Sequence, residues 1–166
     1  MACLNRGVCR GFTLVELVLV IIIAGVLAAV AVPRMVDRSA FQTHGVASDV
    51  RTALRYAQRL ALAKGLDVCV TTTLVPDLTL SFSLVAGGLC DQQVRRPDGA
   101  QNLDGSWNYV VTPPAGITLT STVPTFRFDG QGRPITIPPN TAINFTVSAA
   151  GSTISIPVVP ETGYVQ

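Results

Sequence analysis

The sequence contains little of what catalysis requires. Charged residues make up only 13% of the chain, and His44 is its single histidine. There is no phosphate-binding loop, dinucleotide fingerprint, serine-hydrolase elbow or zinc-protease motif, and no acid pair is placed for general acid–base work. His44 has no acid or nucleophile near it in sequence, so we interpret it as a surface helix residue. These absences argue against an enzyme and imply no cofactor.

The few charges are also nearly balanced. From Arg34 onward the chain has ten basic and nine acidic residues, so no general attraction to nucleic acid or anionic lipid is expected. After residue 96 only Arg127 and Arg133 are basic, which argues against DNA as a partner.

Residues 91–106 are too polar and too rich in glycine and proline for a strand, and we predict an exposed loop there. Asp98, Asn102 and Asp104 offer oxygen ligands for Ca²⁺ within this loop, but their spacing fits no EF-hand. We therefore expect a solvated loop and no metal site.

The four cysteines lie in two groups along the chain. Cys3 and Cys9 are near the N-terminus, and Cys69 and Cys90 come much later. No Cys-x-x-Cys or haem-attachment motif is present, which removes thioredoxin-like and haem-binding interpretations. If the second pair lies in an oxidising compartment, Cys69 and Cys90 can form a disulfide. Two buried free thiols are the alternative.

One apolar run dominates the N-terminal part of the chain. Residues 12–32 contain a single charge, Glu16, and a helix of that length roughly matches the hydrocarbon core of a bilayer. Arg6 and Arg10 precede the run, which orients the N-terminus toward the cytoplasm and the residues after Pro33 toward the outside. The sequence therefore predicts a single membrane-spanning helix.

Glu16 is costly within lipid, because a charge costs at least about 2.5 to 3.5 kcal/mol at mid-membrane and less near the interface. A secretory signal cut near residues 29–31 and an inert signal anchor are alternatives, but both leave Glu16 unexplained. Thr13 and Glu16 also fit a capping box at a helix start. If Glu16 instead has a charged partner, no Lys, Arg or His between Phe12 and Val32 can supply it.

The stretch RGFTLVELVLVIIIAGVLAAVAVPRM resembles the N-terminus of type IV prepilins and of type II secretion pseudopilins. The resemblance implies that a prepilin peptidase cuts between Gly11 and Phe12 on the cytoplasmic side and that Phe12 is then N-methylated. The new α-amine of Phe12 would be the missing cation, and Glu16 would meet the amine of a neighbouring subunit to set the axial register.

Beyond the apolar run, Pro33 predicts a kink in a long helix rather than its end. Apolar residues then recur three and four positions apart, which predicts one buried stripe, and Gly65 is a stop signal. The stripe comprises Val46, Val50, Ala53, Leu54, Ala57, Leu60 and Ala61. Arg51, Arg55 and Arg59 lie on another face, for which a solvated surface is expected rather than a phosphate-binding ridge.

After Gly65 the pattern changes to short alternating or β-branched segments separated by turns. This spacing predicts antiparallel strands packed over one helix, an α+β fold. The predicted organisation is a leader at 1–11, a membrane half of the helix at 12–33, its amphipathic half at 34–65 and a β-rich head at 66–166.

Three further stretches, LRYAQRLALAKGLDVCV, FRFDGQGRP and ISIPVVPETGYV, are similar to minor pilins and pseudopilins of the GspH/FimT class and to MshC-like proteins. This resemblance implies a structural subunit that leaves the inner membrane to join a type IV pilus or a type II secretion pseudopilus, at or near its tip. Its partners would be the peptidase and, through the helix, other subunits. A secreted or anchored binding module that recognises a surface, a sugar or DNA is the alternative.

Overall fold

The computed structural model describes residues 12–34, 38–72, 77–99, 101 and 105–166. The chain divides into two units, Met1–Arg38 and Ser39–Gln166. The predicted leader, residues 1–11, lies outside the described residues.

The first unit contains helix α1, Leu14–Arg34. Pro33 is its penultimate residue, residues 35–37 lie outside the described part of the chain, and the next helix begins at Arg38. The kink at Pro33 therefore stays a prediction.

Helix α2, Arg38–Lys64, is the helix of the second unit. The predicted stripe is confirmed, because six of its seven members are buried and Leu60 packs partly buried against the same core. The helix ends at Gly65, which has a φ of 64° and donates its N–H to the Ala61 carbonyl at 2.8 Å. Glycine reaches this left-handed conformation without the steric penalty of a Cβ.

The strands of the described residues are β1 Val68–Thr72, β2 Leu78–Phe82, β3 Gln92–Gln93, β4 Val110–Val111, β5 Thr118–Ser121, β6 Thr125–Phe128, β7 Pro134–Ile135, β8 Ile143–Ala149 and β9 Ser152–Val158. They form two antiparallel sheets. The larger sheet has the order β3-β2-β1-β6-β7, with β4 also paired to β2, and the smaller sheet has the order β5-β8-β9.

The core lies between α2 and alternate side chains of both sheets. Val68, Val70 and Phe126 are buried from the larger sheet, whereas the smaller sheet contributes Phe145 and Ile156. The rings of Phe126 and Phe145 lie 6.1 Å apart, so the two sheets share one core. The predicted α+β fold is confirmed.

Part of the polar segment after β2 is not the loop that its composition predicts. Gln92 and Gln93 pair with β2, and Arg95 forms a bridge with Asn108. The physical reason is Val94, which is 2% exposed and anchors an otherwise polar segment to the core.

The structure also joins Cys69 on β1 to Cys90 in a disulfide, with the two Cα atoms 6.1 Å apart. The bond links residues 21 positions apart and fastens the β2–β3 connection to the centre of the larger sheet. Of the two alternatives left open by the sequence, the structure contains the disulfide.

Candidate processing and assembly site

Thr13 caps the start of α1. Its side-chain Oγ1 accepts the backbone N–H of Glu16 at 3.3 Å, and its carbonyl oxygen accepts the N–H groups of Glu16 and Leu17, each at 3.1 Å. A threonine at this position satisfies donors that have no partner within the helix. The structure therefore contains the Thr13 half of the predicted capping box.

The carboxylate of Glu16 is not used in this cap. Glu16 is exposed and lies in the first turn of α1, where the positive end of the helix dipole favours a negative charge. Within the described residues the carboxylate makes neither an ion pair nor a hydrogen bond, so the return contact of a full capping box does not occur there.

Phe12 directly precedes this cap and is 76% exposed, whereas Gly11 lies outside the described residues. Large apolar side chains then occur on every side of α1, and those described are exposed. They are Leu14, Val15, Leu17, Val18, Leu19, Val20, Ile21, Ile22, Ile23, Val26 and Leu27. A helix that is apolar all round is normally found in lipid or inside a larger assembly.

In the described part of the chain, no helix reaches both the length and the apolar character that a membrane crossing requires.

Gln58 of α2 lies in the first of the three stretches with a family resemblance and contacts the other two. Its Nε2 donates to the Gly132 carbonyl at 3.0 Å and to the Thr162 carbonyl at 2.8 Å. Gly163 packs so closely against this point that a Cβ there would clash with the Gly132 oxygen. The sequence did not single out Gln58. The glycines at positions 132 and 163 were the only features in the sequence that could have indicated close packing at this point.

The expectation of a solvated arginine face is confirmed for Arg55, which is exposed, although Arg51 is half-buried and both side chains also bind the main chain. Arg51 Nε donates to the Gln166 main-chain oxygen at 2.9 Å, and Arg55 Nη2 donates to that of Val165 at 3.1 Å. The arginines bind the C-terminal segment because its carbonyl groups need donors. Arg59 is exposed, and the prediction of an exposed His44 is confirmed.

Asp67 is a second residue that sequence reasoning missed. Its side chain is 6% exposed and its Oδ2 lies 3.4 Å from Nη1 of Arg127 on β6. The same oxygen accepts the N–H of Gly87 at 2.8 Å. The buried charge thus has two partners and holds the β2–β3 connection against the larger sheet.

A cavity of about 380 Å³ lies between α2 and the segment before β4. Tyr109 lines it, stacks on Tyr56 with ring centroids 5.4 Å apart, and lies under the guanidinium of Arg96. Burial raises the pKa of the Tyr109 hydroxyl, although Arg96 acts in the opposite direction. No group of three His, Cys, Asp or Glu side chains suited to a metal ion occurs among the described residues.

The site is thus an exposed apolar helix with a lone acid in its first turn, which precedes a unit in which a helix packs on antiparallel sheets. Residues 6–32 match the family described as the prokaryotic N-terminal methylation motif.

Two relatives illustrate the sequence similarity. The type IV narrow pilus major component PilA5 of Thermus thermophilus is 42% identical over 62 residues, 36% of this chain and 53% of that protein. A fimbrial protein of Pseudomonas aeruginosa is 33% identical over 107 residues, 62% of this chain and 67% of that protein. The aligned region spans about half the length of PilA5. Because two thirds of the fimbrial protein is covered at 33% identity and the methylation motif is also matched, the chain belongs to the type IV pilin and pseudopilin family.

Solved structures share the fold at low sequence identity. The type IV minor pilin FimU of Pseudomonas aeruginosa is 18% identical with a TM-score of 0.52, covering 74% of this chain and 85% of FimU. The minor pseudopilin EpsH of the Vibrio cholerae type 2 secretion system is 12% identical with a TM-score of 0.57, covering 75% of this chain and 94% of EpsH.

Proposed function

We propose that this chain is made as a precursor in the bacterial inner membrane and becomes a subunit of a type IV pilus or a type II secretion pseudopilus. Residues 1–11 are a cytoplasmic leader, 12–33 the membrane and assembly half of the helix, 34–65 its amphipathic half and 66–166 a periplasmic head. The match to the methylation motif and the exposed apolar side chains of α1 support this organisation.

Processing creates the positive charge that the apolar run lacks. A prepilin peptidase hydrolyses the Gly11–Phe12 peptide bond with one water molecule, which leaves a carboxylate on Gly11 and an α-amine on Phe12. A sulfonium methyl donor then transfers a methyl group to this amine, which loses a proton and remains basic. At neutral pH the methylated amine is mostly protonated.

The observation that carries the proposal is the exposed Glu16 carboxylate, which has no partner among the described residues although Thr13 caps the helix. In an assembly, Glu16 meets the Phe12 amine of a neighbouring subunit in a medium where water is scarce and the attraction is strong. Both charges lose hydration, so the pair sets the axial register more than it adds stability. Packing of apolar helices provides most of the attachment.

A position at or near the filament tip is proposed from the head. Its fold is that of FimU and EpsH, which are minor subunits, and three of its stretches resemble that class. The proposed role is structural, and it includes neither DNA binding nor catalysis by the chain itself.

Mass spectrometry of the protein isolated from its host tests the proposal. We expect a mature N-terminus of N-methylated Phe12, and we expect Gly11→Val to block cleavage while Gly7→Val in the same leader does not. A mature start at Val32 or Pro33 would instead support a secreted binding module. Assembled filaments that retain residues 1–11 would contradict the proposal.

A further inference from the structure

The connection between β2 and β3 exposes three large apolar side chains within six consecutive residues. Leu84 is 63% exposed, Val85 67% and Leu89 88%. They lie within residues 84–89, here named the apolar turn, and no charged residue occurs between Leu78 and Cys90. Single exposed apolar side chains are normal on protein surfaces, whereas three on one short turn indicate a contact surface.

The apolar turn is firmly built. Its Gly87 N–H donates to the buried carboxylate of Asp67 at 2.8 Å, and the Gly88 N–H closes the turn on the Val85 carbonyl at 2.9 Å. Just before it, the Ser83 N–H donates to the Asp67 carbonyl at 2.9 Å.

Covalent attachment comes directly after the turn, where Cys90 is bonded to Cys69 of β1. The apolar side chains are therefore held in place before any partner arrives. Binding therefore does not have to order a flexible backbone, a step that would cost free energy.

The composition of the turn argues against a lipid or sugar ligand. Elements that bind membrane surfaces combine apolar side chains with Lys or Arg, and residues 84–89 contain neither. Arg127, near the anchor of the turn, is paired with Asp67. The turn has no aromatic side chain to stack on a sugar ring. An uncharged apolar protein surface is the chemistry that fits it.

The size of the turn indicates when such a contact can form. Three aliphatic side chains expose on the order of 300 Å², whereas a stable free complex buries roughly 800 Å² per partner. The turn is too small to hold two free proteins together. A second attachment that keeps the partners adjacent removes this limit, because it raises their effective concentration.

We propose that the apolar turn contacts the head of the neighbouring subunit in the assembled filament. The inference rests on the proposed function, in which packing of α1 supplies the second attachment. The contact forms only after assembly, because the turn alone is too small to hold two subunits together while they are still dispersed in the membrane.

Photo-crosslinking of the full chain in its host tests the contact. Leu89→p-benzoylphenylalanine places the probe in the turn, and Ile137→p-benzoylphenylalanine is the matched control because Ile137 is 87% exposed outside the turn. We expect the Leu89 probe to crosslink to a pilin or pseudopilin head, identified by peptide mass spectrometry, in the filament fraction and not in the membrane fraction. The control probe should give at least fivefold less of this product.

Crosslinks to lipid, equal crosslinking in both fractions, or none in filaments that contain the chain would overturn the inference alone. Absence of the chain from filaments, detected by immunoblotting, would overturn the proposed function with it. As a second measurement, the double variant Leu84→Ser/Leu89→Ser should enter filaments several-fold less well than Ile137→Ser at unchanged melting temperature. Equal incorporation of the two variants would contradict the proposal.

Discussion

Gln58 and Thr162 lie 104 positions apart in the chain and are joined by a hydrogen bond of 2.8 Å from the side-chain amide to the main-chain oxygen. Because the same nitrogen also donates to Gly132, one amide holds both the C-terminal segment and the turn between β6 and β7 on α2. The C-terminal segment comes after the smaller sheet, and the turn belongs to the larger one. Gln58 therefore couples both sheets to the helix.

Gln58→Glu should reveal this coupling. The substitution keeps the shape of the side chain but places an acceptor against two carbonyl oxygens, so we expect the free energy of unfolding to fall by about 2 kcal/mol. Urea unfolding of the full-length protein in detergent measures the change. Gln42→Glu is the matched control, since Gln42 is exposed on the same helix, and an equal loss in both variants would contradict the assigned role.

Local patterns in the sequence were enough to predict the helix and most strands. The stripe from Val46 to Ala61 and the alternation of β8 are properties of neighbouring residues, and both are confirmed. The strand order and the Gln58 contacts depend on segments far apart in sequence, which no local period encodes. The sequence did not predict β3, because its segment is mostly polar and a single buried side chain, Val94, anchors it to the core.

The same distinction applies to the candidate site. The motif around Phe12 and Glu16 is local, so it can be recognised in the sequence, and the structure adds the Thr13 cap and a Glu16 carboxylate that has no partner among the described residues. The cleavage, the methylation and the register role remain predictions, because they concern a peptidase, a methyl donor and a neighbouring subunit that act on the chain from outside.

The Cys69–Cys90 disulfide should stabilise the head through the loop that it closes. A separation of 21 residues predicts a contribution of about 3 kcal/mol from restricting the unfolded chain. We expect Cys69→Ser/Cys90→Ser to lose about that much free energy of unfolding and to become insensitive to reductant. Cys3→Ser/Cys9→Ser, which changes only the predicted leader, should unfold as the unsubstituted protein does; a comparable loss there would contradict the prediction.

Tyr109 should make the head sensitive to alkaline pH. Burial raises its pKa in the folded state, so above about pH 10 the unfolded chain loses a proton that the folded chain retains. Ionisation of the unfolded state then lowers the free energy of unfolding as the pH rises, whereas below that range Tyr109 adds no pH dependence. Urea unfolding between about pH 9 and about pH 11 measures this decline.

Tyr109→Phe removes the ionisable group and should therefore flatten the alkaline decline in the free energy of unfolding. Tyr164→Phe is the matched control, because it removes the hydroxyl of a tyrosine that is 59% exposed. An identical slope in the Tyr109 variant and the unsubstituted protein would show that other groups cause the decline.

Glu16→Val distinguishes a register role from a capping role. The substitution removes the charge but leaves the cap from Thr13 Oγ1 to the residue-16 N–H in place. We expect the variant to be cleaved and methylated normally, because those steps act at Gly11 and Phe12, but to be depleted at least tenfold from filaments. Quantitative immunoblotting of filament and membrane fractions measures the ratio.

Thr13→Ala is the complementary variant, because it removes the cap and keeps the charge. It should cost the helix start about 1 kcal/mol but leave most of the protein able to enter filaments, since the Glu16 carboxylate can still meet a neighbouring amine. If Glu16→Val assembles normally while Thr13→Ala does not, the capping interpretation is correct and Glu16 does not set the register. The contrast is decisive because the two substitutions separate the hydroxyl from the carboxylate within one helical turn.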